Sequence, residues 1–413
     1  MLGDYARREA SSHNDNFSHI QPEGLPSVDS TYRDHTDNSF EVAALTLALD
    51  KKFSPKWSLQ TGAKYTRNHT YNNSLYQYLK EEEWVRNDDQ SLRVDYTEHI
   101  AAAYGVVTAK LGRWGVTAGL RGEYTRTDGR RNGVEQNYFS LFPNANVSYS
   151  LSSDGAYSLV AQYARTIRRP SFWTLMPNRS QISDYTYQTG NPDLLPSYTS
   201  DVSLTAVLAH KYTLTAGISI VDDEINQDMV PDAENPDVLG ILWLNYDRTA
   251  SYYLAASLPF QLAKWWTLNL NANYVYNGMR LSSHGSIRYH HYLFANAQTT
   301  FTLPGKVYLD LSYRYNNRLY LGSCWVDAMH FLNASIKKSF FGDRLTCTFS
   351  AYNLLNRAQT LGARGDDFVR HQQVRQNWSS IRFQVGVTYN FKAGKAFQKK
   401  SVEAGAAEDR SRL

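Results

Sequence analysis

The chain has 413 residues, a formal net charge of +4 and two cysteines, a length suited to one large β domain or two ordinary ones. No stretch reaches the roughly 18 consecutive apolar residues of a membrane-spanning helix, and the dispersed charge forms no basic stripe for nucleic acid. Its 30 tyrosines, 17 phenylalanines and 9 tryptophans suit rings placed between lipid and water, and strands that are only half apolar leave a membrane barrel open.

The opening "MLGDYARREASSHND" has no apolar signal core; "LGDYARRE" reads as a strand remnant, followed by loop to residue 36. "VAALTLALD" at 42–50 alternates apolar and polar residues, turns through "SPKW", and resumes as a second alternating run. Two such runs across a short turn predict an antiparallel hairpin. The unit recurs through "GRW" ending at Trp114, "HKY" at Tyr212 and "AKWW" at Trp266, with looser versions ending at Tyr157 and Tyr308.

Strand starts fall near 40, 56, 92, 113, 137, 155, 197, 211, 240, 264, 289, 305, 324, 343 and 376. The opposite connections are longer and polar: 10–38, 72–91, 129–136, 168–197, 226–239, 279–288 and 357–375. Short turns at one end and long loops at the other describe an outer-membrane barrel. A β-propeller would instead repeat four-stranded blades at steady spacing, which the irregular hairpin starts oppose. Cys324 and Cys347 fall near opposite ends of adjacent strands, so no disulfide is expected.

Aromatic placement separates lipid from protein core. Trp57 and Tyr65 share one strand face, as do Trp114 and Tyr124, and Trp266 with Tyr274 and Tyr276. Tyr212 opens its strand in the same way. Small aliphatic residues lie between these rings. Eight to ten tilted residues climb roughly 20–25 Å, the height of an apolar band between two aromatic girdles. Lys56, Arg113, Lys211 and Lys264 lie beside the lower girdle, where their charges reach the interface. The opposite faces carry Asn269, Asn271 and Asn273; Asp310 and Arg314; Arg382 and Gln384. These polar faces fit a hydrated lumen better than a sandwich core.

"YARTIRRPSFWTLMP" at 163–177 and "YQTGNPDLLPSYTSDVSL" at 187–204 resemble the TonB-dependent outer-membrane receptors, in their outer membrane protein β-barrel family branch. "YTEHIAAAYG" at 96–105, "GLRGEYT" at 119–125, "AYNLLNR" at 351–357 and the last strand "IRFQVGVTYNF" fit as well, so the resemblance runs from about 37 to 392. It implies a barrel of about 22 strands around an N-terminal plug, importing scarce nutrients with energy passed through TonB. The chain itself supplies about 15 full strands and the opening remnant, with no recognisable plug or TonB-contact segment. The sequence reading is therefore an all-β, antiparallel transmembrane barrel with 15–16 of those strands, as a C-terminal fragment. It divides into a strand remnant and extracellular loop at 1–36, the barrel portion at 37–392 and a polar periplasmic tail at 393–413. Phe391 stands where such barrels carry a terminal aromatic.

Pro170, Pro177, Pro192 and Pro196 cannot donate ladder bonds, and Gly190-Asn191 supplies turn geometry. Arg165, Arg168 and Arg169 at the strand top have three open roles: pairing within the wall, contacting lipopolysaccharide phosphates, or binding an anionic ligand. Pairing is favoured. The carboxylates of "VDDE" at 221–224 could take a cation but read better as a solvated loop base. His290 and His291 face opposite ways on a strand, and "EEE" at 81–83 reads as an exposed loop. No nucleophile–base set, zinc spacing or phosphate loop occurs in its required context, so neither enzyme activity nor a cofactor is expected. Partners would be outer-membrane lipid and lipopolysaccharide, the missing plug and strands, TonB through that plug, and an unidentified small-molecule or oligomeric substrate. A self-closed 16-stranded passive pore and a surface-loop adhesion scaffold are the alternative functions.

Overall fold

The computed structural model describes residues 1–391 except 21–26, 89, 130–132, 178, 184–185, 233, 236–237, 281, 322–323, 365–368 and 375–379. The tail expected at 393–413 lies outside the described residues.

Among the described residues, seventeen strands form the main sheet. Sixteen of them follow one another as the wall. They are β1 (Leu2–Ile20), β2 (Val28–Ser54), β3 (Trp57–Lys80), β4 (Leu92–Leu111), β5 (Trp114–Gly129) and β6 (Val134–Ser150). Next come β7 (Ser158–Arg168), β8 (Ser197–Leu208), β9 (Tyr212–Asp222), β10 (Thr249–Ala263) and β11 (Trp266–Met279). The series ends with β12 (Arg288–Leu303), β13 (Val307–Asn316), β14 (Met329–Phe340), β15 (Leu345–Tyr352) and β16 (Arg382–Tyr389). Each pairs antiparallel with the next, from the β1–β2 ladder to the β15–β16 ladder. The seventeenth, Glu83–Arg86, folds back on the end of β3.

The short turns lie at one end, and local chemistry closes them. Between β2 and β3 the Ser54 hydroxyl accepts from the backbone N–H groups of Lys56 and Trp57, both at 3.2 Å. Between β8 and β9 both Ala209 and His210 take positive φ, 51° and 59°, the twist a tight hairpin needs. Along the wall, side chains alternate. Leu45, Leu47 and Leu49 of β2 face out and are exposed, whereas Val42 and Ala44 face in and are buried.

Four regions differ from the sequence expectation, the first being that β3 continues to Lys80 through part of the connection expected at 72–91. The stretch 10–38 is not loop: β1 and β2 pair residue for residue from Leu2↔Thr46 to Ile20↔Val28. At about 3.3 Å per residue the 27 residues of β2 run roughly 90 Å, so the hairpin stands well above a 25 Å apolar band. Its polar alternation resembles a loop in composition, but the neighbouring strand completes the backbone hydrogen bonds. The wall strand expected from 240 begins at Thr249. The preceding Leu239–Tyr246 instead pairs with Glu224–Pro231 and, in parallel, with Thr186–Thr189, which in turn pairs with Ser180–Ser183. The wall strand expected from 324 begins at Met329, because Cys324–Val326 joins a second small sheet with Leu319–Leu321, Gln359–Arg364 and Val369–Val374. In both cases apolar residues rich in strand formers run on either side of the break, and the change of lateral partner decides where the wall starts.

Candidate functional site

The largest buried cluster lies inside the wall, where the long loop after β7 turns inward. Pro170 follows Arg169 without a donor N–H. A single helical turn, α1 (Phe172–Leu175), comes next. It is fixed at its start by the Thr174 hydroxyl donating to the Ser171 carbonyl at 2.8 Å. The loop then doubles back. Gly190 N–H donates to the Met176 carbonyl and Asn191 N–H to the Thr174 carbonyl, both at 2.7 Å. A Cβ at Gly190 would stand 2.3 Å from that Met176 oxygen, so the close approach admits glycine alone.

Asn191 works in two directions. Its side-chain oxygen accepts from Asp193 N–H at 2.9 Å, and its amide donates to the Trp243 carbonyl at 3.1 Å. The two prolines bracket this turn: Pro192 directly follows Asn191, and Pro196 directly precedes β8. Leu175, Met176 and Leu194 are thereby pressed against Val94, Tyr96 and Val134 of the inner wall and Ile225 of the paired strands Glu224–Pro231 and Leu239–Tyr246, which form a cap over the loop. Gln136 of β6 donates to the Leu194 carbonyl at 2.7 Å.

The three arginines go to three places. Arg169 crosses the interior to β5, where its guanidinium donates to Glu123 and, at 3.2 Å, to Thr125. Both members of the Arg169–Glu123 pair are nearly inaccessible, and Arg121 donates to the other Glu123 oxygen. Next to this pair, Asn68 of β3 donates to the buried Glu98 of β4 at 2.9 Å. Arg168 reaches the Ile225 carbonyl at 3.4 Å. Arg165 lies over the Tyr198 ring at 5.0 Å, and its buried Nε has no hydrogen-bond partner among the described residues. They do not converge on one open anion site.

Sequence reasoning missed Glu98, Glu123 and Thr125 as the partners of this loop. The signal was present: Glu98 lies in "YTEH" and Glu123 in "GLRGEYT", two acidic positions in motifs set apart from the basic "RRP". Only the barrel brings them together.

The rest of the predicted residues lie apart from this node. Trp57, Tyr65, Trp114, Tyr124 and Tyr276 are exposed, and Tyr212, Trp266 and Tyr274 are half-buried. Tyr212 packs near Phe260 and Trp266 near Phe301, with ring centroids 5.5 and 5.7 Å apart. Tyr65 and Tyr274 hydrogen-bond His99 and His291 at 2.7 and 2.5 Å. On the other face, Asn269, Asn271 and Asn273 alternate with those rings on β11, and Asn271 and Asn273 border a cavity of about 350 Å³. Asp310 accepts from Thr300 at 2.5 Å, Arg314 lies over Phe331 at 4.4 Å, and Arg382 lies over Tyr352 at 4.9 Å. Gln384 is exposed opposite Ser350.

The other candidates disperse as well. Asp222 pairs with Arg248 at 2.5 Å, while Glu224 accepts from the Thr249 hydroxyl at 3.3 Å. His290 stacks on Tyr320 at 4.1 Å, away from its neighbour His291. Among the described residues no three His, Cys, Asp or Glu side chains group as metal ligands.

Above the node the same loop forms one side of a cavity of about 680 Å³. Trp173, Met176, Arg179, Gln188 and Gly190 line it on that side, and the inner faces of β1, β2 and β3 line the other. This volume falls in the usual range of small-molecule sites.

A sheet wall with short turns below, long structured loops above and an inward-folded loop is matched along residues 2–389 by the model of the outer membrane protein beta-barrel family. The chain belongs to that family. Its place is the outer membrane of a Gram-negative cell. No curated protein matches the sequence. Among solved structures, the fold is similar to that of the copper transporter OprC, with TM-score 0.65 and 15% identity over 94% of this chain and 62% of that one. It is also similar to the ferric yersiniabactin uptake receptor FyuA from Yersinia pestis, at 0.58 and 13% over 93% and 58%. The ferric preacinetobactin receptor BauA from Acinetobacter baumannii gives 0.56 and 12% over 94% and 60%. This member of the family thus spans about three-fifths of the length of those proteins.

Proposed function

We propose that this chain forms the C-terminal part of the wall of a TonB-dependent outer-membrane receptor that captures a nutrient at the cell surface. The plug, the remaining strands and the TonB contact are supplied by sequence outside it. One observation carries the reading: the turn at 169–196 is spent on building a vestibule inside the barrel mouth, with a cavity of about 680 Å³ open between it and the β1–β3 arms. The fold likeness to metal and siderophore receptors supports the same reading, as does the share of their length that the chain covers. The chain acts as a binding and transport wall, with no catalytic role, in contact with lipid and lipopolysaccharide through its outward face.

The test is a sequencing read through the start codon and well over a kilobase upstream. The expected result is an in-frame export signal, plug and further strands, with uptake lost in cells lacking TonB. A genuine stop with no such frame, together with steady conductance of the chain in lipid, would overturn the reading.

A further inference from the structure

The vestibule wall on β1–β3 is a lattice built from register. Asn38 lies opposite Asn72, Thr36 lies between Ser12 and Ser74, and Asp34 lies between Asn14 and Tyr76. Each row is tied within itself. Asn72 donates to the Asn38 side-chain oxygen at 2.5 Å, the Thr36 and Ser74 hydroxyls meet at 3.0 Å, and Asn14 donates to Asp34 at 2.8 Å. An amide or hydroxyl that spends one group on its row keeps others for the cavity, so the wall presents donors and acceptors in alternation.

Two features limit what such a wall accepts. Its charges are few: Asp34, held by the neutral Asn14 amide, keeps one negative charge, and across the cavity Arg179 pairs with Asp232 at 3.1 Å while lying over the Tyr187 ring at 4.3 Å. A multiply anionic ligand would meet Asp34 and no uncommitted cation among these groups, while a single carboxylate serves a ligand's hydroxyls as an acceptor. The apolar part of the lining is aromatic. Tyr32 and Tyr76 stack at 5.3 Å with planes 23° apart, and Trp173 stands opposite with half of its surface exposed. Flat rings facing rows of amides and hydroxyls complement a molecule with apolar C–H faces and hydroxyl edges. A peptide would instead require apolar side-chain pockets, and the rows of β2 and β3 that line the cavity are polar.

We infer that this vestibule binds a neutral, polyhydroxylated ligand, an oligosaccharide segment, with Trp173 and the Tyr32–Tyr76 pair as stacking platforms and the Asn38–Asn72 and Thr36–Ser74 rows reading its hydroxyls. The inference rests on the receptor reading above and names its ligand class.

The test uses outer-membrane vesicles displaying the full chain, probed first on an array of neutral tetra- to octasaccharides and then by anisotropy of the best fluorescein-labelled hit. Parallel titrations use a ferric catecholate siderophore and a labelled unstructured peptide. Binding of an oligosaccharide that weakens about ten-fold in Trp173→Ala and in Tyr76→Ala is expected, since ring truncation at a binding platform typically costs that much. Leu195→Ala, on the same loop but outside the cavity, should leave binding unchanged and verifies that the loop still folds. Oligosaccharide binding untouched by either ring variant overturns the site. Siderophore or peptide binding that those variants weaken overturns the ligand class and leaves the receptor reading standing. No binding of any probe to correctly folded chain overturns the inference, while the upstream reading frame decides the receptor reading separately.

Discussion

The inner faces of β4–β6 and of β11–β13 start from the same alternating strand pattern and end in opposite environments. On β4–β6, Val94, Val134 and Thr125 have no accessible surface and Glu98 retains 2%, because the loop at 169–196 covers them. On β11–β13, Asn269, Asn271, Asp310 and Ser312 stay half-open, and Asn271 borders a cavity rather than a loop. A carboxylate on the first face needs a committed partner, since burying it unpaired is costly; Glu123 has Arg169, Arg121 and no solvent. An amide on the second face has water available and needs none. Position on the inner side therefore says little about energetic weight until the covering element is known.

The comparison is broken most severely at Arg169. Arg169→Ala leaves Glu123 buried without its main partner and should cost about 3–5 kcal/mol, whereas Asn271→Ala on the open face should stay within about 0.5 kcal/mol. Comparing thermal midpoints of the heat-modifiable folded band would decide this; similar values for both variants would mean the loop does not seal the interior. The outward face offers a second contrast. Leu270 sits mid-strand between Trp266 and Tyr274 and faces out, so Leu270→Arg should destabilise by about 2–4 kcal/mol. Asn271→Arg, one residue along and facing in, should fold nearly as wild type; refolding yields in lipid vesicles read both.

A smaller loss is expected from Gly190→Ala. The new methyl meets the Met176 carbonyl and should cost about 1–3 kcal/mol, seen as faster proteolysis within 169–196 while the wall stays intact. The mildest effect concerns the cap. The Tyr187 hydroxyl, the backbone N–H groups of Glu234 and Asn235, and Arg179 hold Asp232 below the ordinary carboxylate range. A depressed folded-state pKa gives stability that is complete above the unfolded value and lost as pH falls through the folded one. Protection factors at 239–246, corrected for the slower intrinsic exchange in acid, should therefore fall on acidification below the ordinary carboxylate range, while those in β11, which carries no carboxylate, do not. A parallel fall in both would assign the effect to the wall.

The wall was legible because a period of two is a property of the strand itself. Trp57 and Tyr65 share a face whatever surrounds them, and the turns "SPKW" and "AKWW" close locally, so their positions follow from residues a few places apart. The role of Arg169 was not legible in that way. Its partner Glu123 lies 46 residues earlier, and an arginine beside a proline is equally compatible with a wall pair, a lipid phosphate or a ligand. The cap strand Leu239–Tyr246 failed for a related reason: its apolar run suits either sheet, and lateral pairing alone assigns it.

By itself, then, the sequence determined the strand period, the end with the short turns and which residues share each face, since these depend on backbone geometry and near neighbours. Tertiary structure decided which inner face is dry, which strands leave the wall for the caps, and that the Tyr32–Tyr76 pair on the arms and Trp173 on the loop border one cavity. Those outcomes require contacts between segments tens to more than a hundred residues apart, and such contacts form only when the sheet has curved and the loop has folded into it.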